Sequence, residues 1–198
     1  MSGLIHVSPH GATIIRYITP YNDDWPGRFE QIAQFLRSYL PQNCGIHHVG
    51  STSIPGMPAK DIIDLDIECP DGCITSIITA LEKAGYTHEG DKGIPSREAF
   101  CPKPTSRPSE LPQHHLYACE AGSSELFRHL AFRNYVILHP ARAKWLATQK
   151  IAADQSAVSR AAYMESKANA YEIIVHEAIS WVNKTNAPHA GGQTDLQR

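Results

Sequence analysis

The sequence lacks any long apolar run, and no stretch approaches the roughly 18 consecutive apolar residues that a membrane-spanning helix needs. Its first residues also lack the basic region and apolar core that define a secretory signal peptide. The 5 cysteines are scattered and odd in number, so we expect free thiols in a reducing compartment. These absences predict a cytoplasmic protein with no membrane partner.

The chain also lacks an excess of charge of either sign, because 18 basic and 20 acidic residues leave a formal charge of −2. No general positive field attracts nucleic acid, so we expect a small anionic ligand and no long polynucleotide. The 198 residues, 42% of them hydrophobic, are enough for one globular domain. We place it at residues 11–184, between a loose lead-in (1–10) and a tail expected to be disordered (185–198).

Hydrophobic periodicity predicts strands and helices in an order typical of an α+β fold. Strands are predicted at residues 46–49, 61–69 and 114–120, with weaker ones at 11–17, 86–89 and 98–102. Helices are predicted at residues 25 to about 40, 74–84, 123–138, 140–154 and 158–183. The proline-rich stretch 102–112 indicates a surface loop and the best candidate for a mobile flap. The pattern predicts a mixed β-sheet with flanking helices and a C-terminal helical segment.

The most informative stretch is residues 47–68, where a Gly50-Ser51 turn precedes two aspartates in a predicted strand. Side chains two apart in a strand point to the same face, so Asp64 and Asp66 project together. Adjacent carboxylates repel each other unless a cation or a proton lies between them. Oxygen ligands suit a hard ion, so the pair indicates a Mg²⁺ or Mn²⁺ site, with a solvated polar face as the alternative.

Gly-Ser, a spacer of 12 residues and Asp-apolar-Asp together resemble the signature of the polymerase-beta-like nucleotidyltransferase superfamily. Other stretches resemble the GrpB-like branch of that superfamily: Tyr-x3-Trp-Pro-x2-Phe at 21–29, Ser-Arg-x2-Phe at 96–100, His-His-Leu at 114–116, Phe-Arg-Asn-Tyr at 132–135 and Tyr-x3-Lys at 163–167. The resemblance covers about residues 11–184. It implies a nucleotidyltransferase-like mixed sheet with helices packed beside it.

The resemblance also implies a metal-dependent enzyme that moves a nucleotidyl group from a nucleoside triphosphate to an unknown acceptor. Asp64 and Asp66 would be its catalytic metal ligands. Gly50, Ser51 and Thr52 would hold the phosphates, in keeping with the close approach of backbone amides to anions at such turns. Further candidates for phosphate binding are basic residues that match the family pattern: Lys60, Arg97, Arg133, Lys150 and Lys167.

The sequence offers more than one candidate for the general base. Enzymes of the superfamily generally use a third carboxylate from a neighbouring strand, and Glu98 is a candidate, with a surface ion pair as its alternative role. His115 is another candidate because the pKa of histidine lies near neutrality, although Tyr117 stands where the family usually has a further histidine. Asn134 replaces the usual aspartate beside Arg133 and removes a possible salt bridge.

Three functions are compatible with these patterns. The first is the nucleotidyltransferase, and the second is a non-catalytic nucleotide- or phosphometabolite-binding protein of the same fold, which the unassigned third carboxylate favours. A less favoured third is a metal-dependent hydrolase that uses His48, His115 and the aspartates. Neither the acceptor nor the oligomeric state follows from the sequence.

The last predicted helix carries an apolar stripe through Ala168, Tyr171 and Val175, which indicates that this side packs inward. Tyr163 and Lys167 lie on a neighbouring side. If the helix covers the motif, Lys167 can reach a phosphate. The alternative is that its stem packs on the protein while its ammonium group lies in water.

Overall fold

The computed structural model describes residues 4–7 and 13–185, which form an α+β fold as predicted. Its strands are β1 (Leu4–Val7), β2 (Thr13–Arg16), β3 (Gly45–Val49), β4 (Ile63–Cys69), β5 (Tyr86–His88), β6 (Arg97–Pro102) and β7 (His114–Glu120). Its α-helices are α1 (Trp25–Arg37), α2 (Ile74–Ala84), α3 (Ser124–Leu138), α4 (Pro140–Ser156) and α5 (Arg160–Thr185). None of the helices in this part of the chain has the length and apolar character needed to cross a membrane.

Strands β3 to β7 form one mixed sheet in the order β3-β4-β7-β6-β5. β4 and β7 run parallel, and the other neighbouring strands run antiparallel. The register places Asp64 opposite His115 and Asp66 opposite Tyr117. Because opposed residues on neighbouring strands point to the same face, the motif strand and β7 present their polar side chains together.

The opposite face of the sheet packs against α1 and α2 and forms the main apolar core. Ile63, Leu65 and Ile67 alternate with the aspartates along β4, and each is at most 1% exposed. Trp25 at the start of α1 is fully buried in the same core. Its indole N–H donates to Asp61 at 2.7 Å, which makes Asp61 a strand-entry residue outside the motif face, as its parity predicts.

Helices α3, α4 and α5 pack together beside the motif face and enclose a second apolar cluster. A 3₁₀ turn at Ser51–Ser53 follows the Gly-Ser motif, in agreement with the predicted loop that contains at most a short helical turn. Ile54 and Met57, from the loop after this turn, are each 1% exposed within the helical cluster. The loop that carries the motif is therefore fixed to the helices as well as to the sheet.

Two predictions about the ends and loops of the domain need correction, and a third lies almost entirely outside the described residues. The lead-in at residues 1–10, interpreted as loose, contains β1, which pairs with β2 in a separate two-stranded sheet. The loop at 102–112 is not a free flap, because Pro108 is buried and the Lys103 N–H donates to the Gly85 carbonyl at 2.9 Å. The tail prediction falls on residues 186–198, outside the described residues, while Thr185 ends α5.

Candidate functional site

The Gly-Ser turn presses against the first aspartate of the motif. Gly50 has φ +68°, and a Cβ atom there would lie 2.3 Å from Asp64 Oδ2, so only glycine fits both the backbone and the contact. Ser51 follows with a hydroxyl that faces the site and makes no hydrogen bond to any described residue. Thr52 is 1% exposed, and a hydrogen bond of 3.0 Å joins its hydroxyl to His48 Nε2.

Asp64 lies at the accessible end of the aspartate pair, with 32% of its side chain exposed. The Nδ1–H of His115 donates to Asp64 Oδ1 at 2.8 Å, and the histidine side chain is itself 51% exposed. This bond holds the imidazole so that Nε2 is the nitrogen left for other partners. The sequence predicted a strand at 114–120 and His115 as a candidate base, but it did not predict the contact between His115 and Asp64.

Asp66 is fully buried and is held by a partner that was not predicted. The Nδ1–H of His129 on α3 donates to Asp66 Oδ2 at 2.6 Å, and its Nε2 lies 3.3 Å from Glu125 Oε1. Burial alone would lower the pKa of His129, but the hydrogen bonds to Asp66 and Glu125 outweigh it and raise that pKa to about 9. The buried aspartate is therefore already paired with an imidazolium group at neutral pH.

The accessible aspartate lies on a cavity of about 280 Å³ between the sheet, the motif loop and helices α4 and α5. Ser51, Asp64 and His115 line its sheet side. The remaining wall carries four basic side chains from three separate segments: Lys60, Lys150, Arg160 and Lys167. Within residues 13–185 none of the four forms an ion pair, and among the described lining residues Asp64 is the one carboxylate that faces these four basic groups.

The basic side chains of this cavity repel one another; Lys150 is buried, Lys60 and Lys167 are partly buried, and Arg160 is exposed. Burial, followed by the charge of Lys167, lowers the pKa of Lys150 to about 7. Burial also lowers the pKa of Lys60, with further contributions from Lys167 and Arg160. Such lowered values indicate a site that gains stability when a multiply charged anion enters.

Helix α5 forms one wall of the cavity with the side that carries Tyr163 and Lys167, and of its apolar stripe Val175 is buried and Tyr171 is partly buried. Tyr163 is 1% exposed, and its ring lies 5.4 Å from Lys60 Nζ and 5.9 Å from Lys167 Nζ. Ala168, which was expected to pack inward, is exposed. The helix is thus rotated so that Lys167 faces the motif.

A second cavity of about 190 Å³ adjoins the first and shares a set of lining residues with it: Ser51, Asp64, Tyr117 and Lys167. Its own lining includes Phe132 and Tyr171 from the helices and Arg97 from β6. Arg97 is 9% exposed, and its guanidinium carbon lies 4.5 Å from the centre of the Tyr117 ring. The site therefore has one compartment rich in basic groups and one rich in aromatic rings.

Two predicted site residues do not face these cavities. Arg133 lines neither, because its Nη1 donates to the His48 carbonyl at 2.9 Å and its Nε donates to Asn134 Oδ1 at 3.0 Å. Glu98 lies on the other face of the sheet, opposite Ala118, and its carboxylate is 2.6 Å from His88. Arg133 thus braces the end of β3, and Glu98 cannot be the third carboxylate.

His48, one of the residues that the hydrolase hypothesis needs, also does not face the cavities. His48 pairs with Leu65 in the sheet register, on the face away from the aspartates, and stacks on Phe29 with ring centres 4.8 Å apart. Burial lowers the pKa of His48 to about 4. Its imidazole is neutral and structural, and it does not meet His115 at one site.

Other functional residues could have been found from helical spacing alone. Arg160 precedes Tyr163 by three residues and Lys167 by seven, which places all three on one side of a helix. Glu125 and His129 are likewise four residues apart on α3. Their link to Asp66 has no signal in the sequence, because 63 residues separate the aspartate from the histidine.

The aspartate pair fits a divalent ion whose other ligands come from outside the protein. Among the described residues, no group of three His, Cys, Asp or Glu side chains is placed to hold a metal. Asp66 Oδ1, however, is a buried oxygen without a hydrogen-bond partner, which is the kind of atom that a cation satisfies. Asp64 and Asp66 could therefore hold Mg²⁺ or Mn²⁺ together with phosphate oxygens and water.

A model of the GrpB protein family matches residues 16–177. The UPF0157 protein YqkA of Bacillus subtilis (strain 168) is 36% identical over 132 residues, which are 66% of this chain but only 37% of YqkA. The UPF0157 protein PA4798 of Pseudomonas aeruginosa is 30% identical over 166 residues, 82% of this chain and 67% of that protein.

The fold agrees with the same assignment. The crystal structure of the conserved protein GrpB from Enterococcus faecalis is similar to this one with a TM-score of 0.71 and 31% sequence identity. The match covers 83% of this chain and 98% of that chain. The chain belongs to the GrpB family.

Proposed function

We propose that this protein is a Mg²⁺- or Mn²⁺-dependent nucleotidyltransferase that binds a nucleoside triphosphate and moves its nucleotidyl group to an acceptor. One observation carries the proposal: Ser51 and Asp64 share a cavity with four basic side chains that form no ion pairs within residues 13–185. A triphosphate is the kind of multiply charged anion that such a set balances.

Each group at the site has a separate role in this proposal. Asp64 and Asp66 would hold the divalent ion, which when bound stabilises the charge of the phosphates during an in-line displacement. The Ser51 hydroxyl donates to a phosphate oxygen beside the Gly50 turn. The acceptor attacks the α-phosphorus, the bond between the α-phosphate and the β-phosphate breaks, and pyrophosphate leaves. His115 accepts the proton of the attacking acceptor at Nε2, since its Nδ1–H is held by Asp64 Oδ1 at 2.8 Å.

A second candidate is a protein that binds the nucleotide without turnover. The positions of β7 and β6 that pair on the aspartate face carry His115, Tyr117, Cys119, Arg97 and Ala99, and none of these is a carboxylate. Glu125 approaches from α3, but it is bound to His129 and lies 3.5 Å from Arg97. If His115 is too weak a base, the same cavity binds a triphosphate and leaves it intact.

Two measurements test the proposal and separate the two candidates. Calorimetric titration with a non-hydrolysable nucleoside triphosphate should show Mg²⁺-dependent binding that Asp64→Asn abolishes and Asp71→Asn, at an exposed turn, leaves unchanged. Turnover is tested by incubating the wild type with a triphosphate labelled at its α-phosphate and a bacterial extract. Label transferred by the wild type but not by Asp64→Asn supports the enzyme, whereas binding without transfer supports the second candidate. Absence of binding in the wild type contradicts both.

A further inference from the structure

We propose that the 190 Å³ cavity is the subsite for the nucleobase of the bound triphosphate, with Tyr171 as the ring on which the base stacks. The inference rests on the proposed function and adds the position of the base to it. It also assigns a specificity role to Tyr171, which faces this cavity from α5 and is absent from the lining of the larger one.

The position of the cavity matches the shape of a nucleotide. A nucleoside triphosphate joins a planar ring to a charged chain, and the two cavities here meet at Ser51, Asp64 and Lys167. Lys60, Lys150 and Arg160 line only the larger cavity, whereas the rings of Phe132 and Tyr171 line only the smaller one. A molecule whose charged chain fills the first and whose ring enters the second would have its α-phosphate beside Asp64.

The aromatic wall of the smaller cavity is firmly supported. Phe132 is 2% exposed, and its ring centre lies 4.7 Å from that of Tyr171 at an angle of 43°. Tyr171 is only partly buried, and its hydroxyl forms no hydrogen bond to the residues described in the structure. A ring that is braced by a neighbour and has an unused donor is suited to stack on a base and to bond a polar atom at the edge of the ligand.

Arg97 adds a donor of the same kind to this wall. Its side chain is 11% exposed, its contact with Glu125 is long at 3.5 Å, and its Nε has no hydrogen-bond partner in the structure. A buried N–H without a partner costs free energy, and every nucleobase offers acceptor atoms at its edge. The guanidinium plane also stacks on Tyr117, so its orientation is set before a ligand arrives.

Tyr163 lines the larger cavity but not the smaller one, and its ring is not available for stacking on a base. Tyr163 stacks on Tyr17 with ring centres 5.6 Å apart, and it lies beneath the ammonium groups of Lys60 and Lys167. A base at that ring would have to displace basic groups that suit the phosphates. The base is therefore assigned to the smaller cavity.

The test compares inorganic triphosphate with a non-hydrolysable nucleoside triphosphate by calorimetry, at fixed salt and Mg²⁺. Wild type should bind the nucleotide at least about tenfold more tightly, because only the nucleotide gains base stacking. Tyr171→Leu should lose about tenfold in nucleotide affinity and keep its affinity for inorganic triphosphate. Tyr171→Phe retains the ring but lacks the hydroxyl, so it should lose less nucleotide affinity than Tyr171→Leu. Tyr39→Leu, at an exposed position in the turn after α1, is the control and should match wild type.

The outcomes separate this inference from the function on which it rests. Equal affinities of the wild type for the two ligands would overturn the base subsite without any variant, and would leave the phosphate cavity standing. An equal loss for both ligands in Tyr171→Leu would also overturn it, because Tyr171 would then act on the phosphates or on the fold. If neither ligand binds the wild type, the proposed function itself is wrong.

Discussion

The two faces of the central sheet treat the residues of one strand in different ways. On the face under α1 and α2, the apolar side chains of β4 are removed from water and contribute to stability through burial. On the face beside α3, α4 and α5, β4 presents Asp64 to the basic groups of the larger cavity and Asp66 to the partly buried His129. One face of β4 therefore contributes to the apolar core, and the other face carries the charged groups of the candidate site.

The charged face is itself uneven, and its two aspartates illustrate this. Asp64 is partly exposed and borders both cavities, whereas Asp66 is fully buried and bonded to His129. The comparison shows that, of two carboxylates on the same face of one strand, one can border the cavities while the other belongs to the buried interior.

The largest expected effect is the loss of stability in Asp66→Asn. This change leaves the buried charge of His129 without its closest partner, and breaking such a pair costs about 4 kcal/mol of unfolding free energy. Asp64→Asn, at the partly exposed position, should cost less than about 1 kcal/mol. Urea unfolding of both variants without metal measures the difference, and equal losses would contradict the division between the two aspartates.

The next largest effect concerns the apolar face of the same strand. Leu65 is fully buried, so Leu65→Ala should reduce the unfolding free energy by about 3 kcal/mol through lost burial and an unfilled cavity. Triphosphate affinity of the folded variant should stay as in wild type. Ile173→Ala, at a residue 46% exposed on α5, is the matched control and should change stability by less than about 0.5 kcal/mol. A weaker affinity in Leu65→Ala would show that the two faces are coupled.

A third prediction is that Lys150 lowers the stability of the free protein at neutral pH. Its folded-state pKa of about 7 lies below the ordinary 10.5, so between these values the unfolded chain binds the proton more tightly and stability rises with pH. Lys150→Met should therefore be more stable than wild type at pH 7, by about 2 kcal/mol after allowance for relaxation around the charge. Unfolding measured from pH 7 to pH 10.5 should show a flatter profile in the variant.

The same residue links stability to binding. A bound triphosphate favours the charged form of Lys150, so wild type should take up a proton on binding and bind more tightly as the pH falls towards 7. Calorimetry in buffers of different ionisation enthalpy measures this uptake. Lys150→Met should show less uptake and weaker binding, and a variant that binds as well as wild type would remove Lys150 from the phosphate site.

The smallest expected effect is on binding alone, in Lys167→Met. The change keeps most of the apolar stem and removes one charge from both cavities, so triphosphate affinity should fall by about 1–2 kcal/mol. Stability should barely change. Lys144→Met, at an exposed position of α4 that lines neither cavity, is the control. Equal affinity of the two variants, with Mg²⁺ present and salt fixed, would leave Lys167 as a residue with its stem packed and its ammonium group in water.

Much of the fold could be predicted because its signals are local. Alternation along residues 63–67 identified β4 and its buried face, and three- and four-residue spacings identified the helices of the domain. β1 was missed because a four-residue strand in a polar context has little periodicity to detect. On α5 the stripe prediction holds for Val175 and Tyr171 but is wrong for Ala168, because alanine is small enough to fit either a buried or an exposed side of a helix.

The site was predicted less completely because its parts come from distant segments. Gly50, Ser51, Asp64 and Lys60 lie near one another in the chain, and the motif places them together. Glu98 was an eligible carboxylate until the register of β6 placed it on the other face. Asp66 in β4 and His129 in α3 are 63 residues apart, and no local sequence pattern relates them, so their contact could not be predicted.

By itself, the sequence determined that Asp64 and Asp66 share a face, because the period of a strand follows from covalent geometry. It also determined that a glycine turn, at Gly50, precedes the two aspartates in the chain. Only the tertiary structure decided that Asp66 is buried against His129 and that basic groups from α4 and α5 surround Asp64. The physical reason is that burial and electrostatic fields depend on groups close in space, and the chain brings those groups from more than 50 residues away.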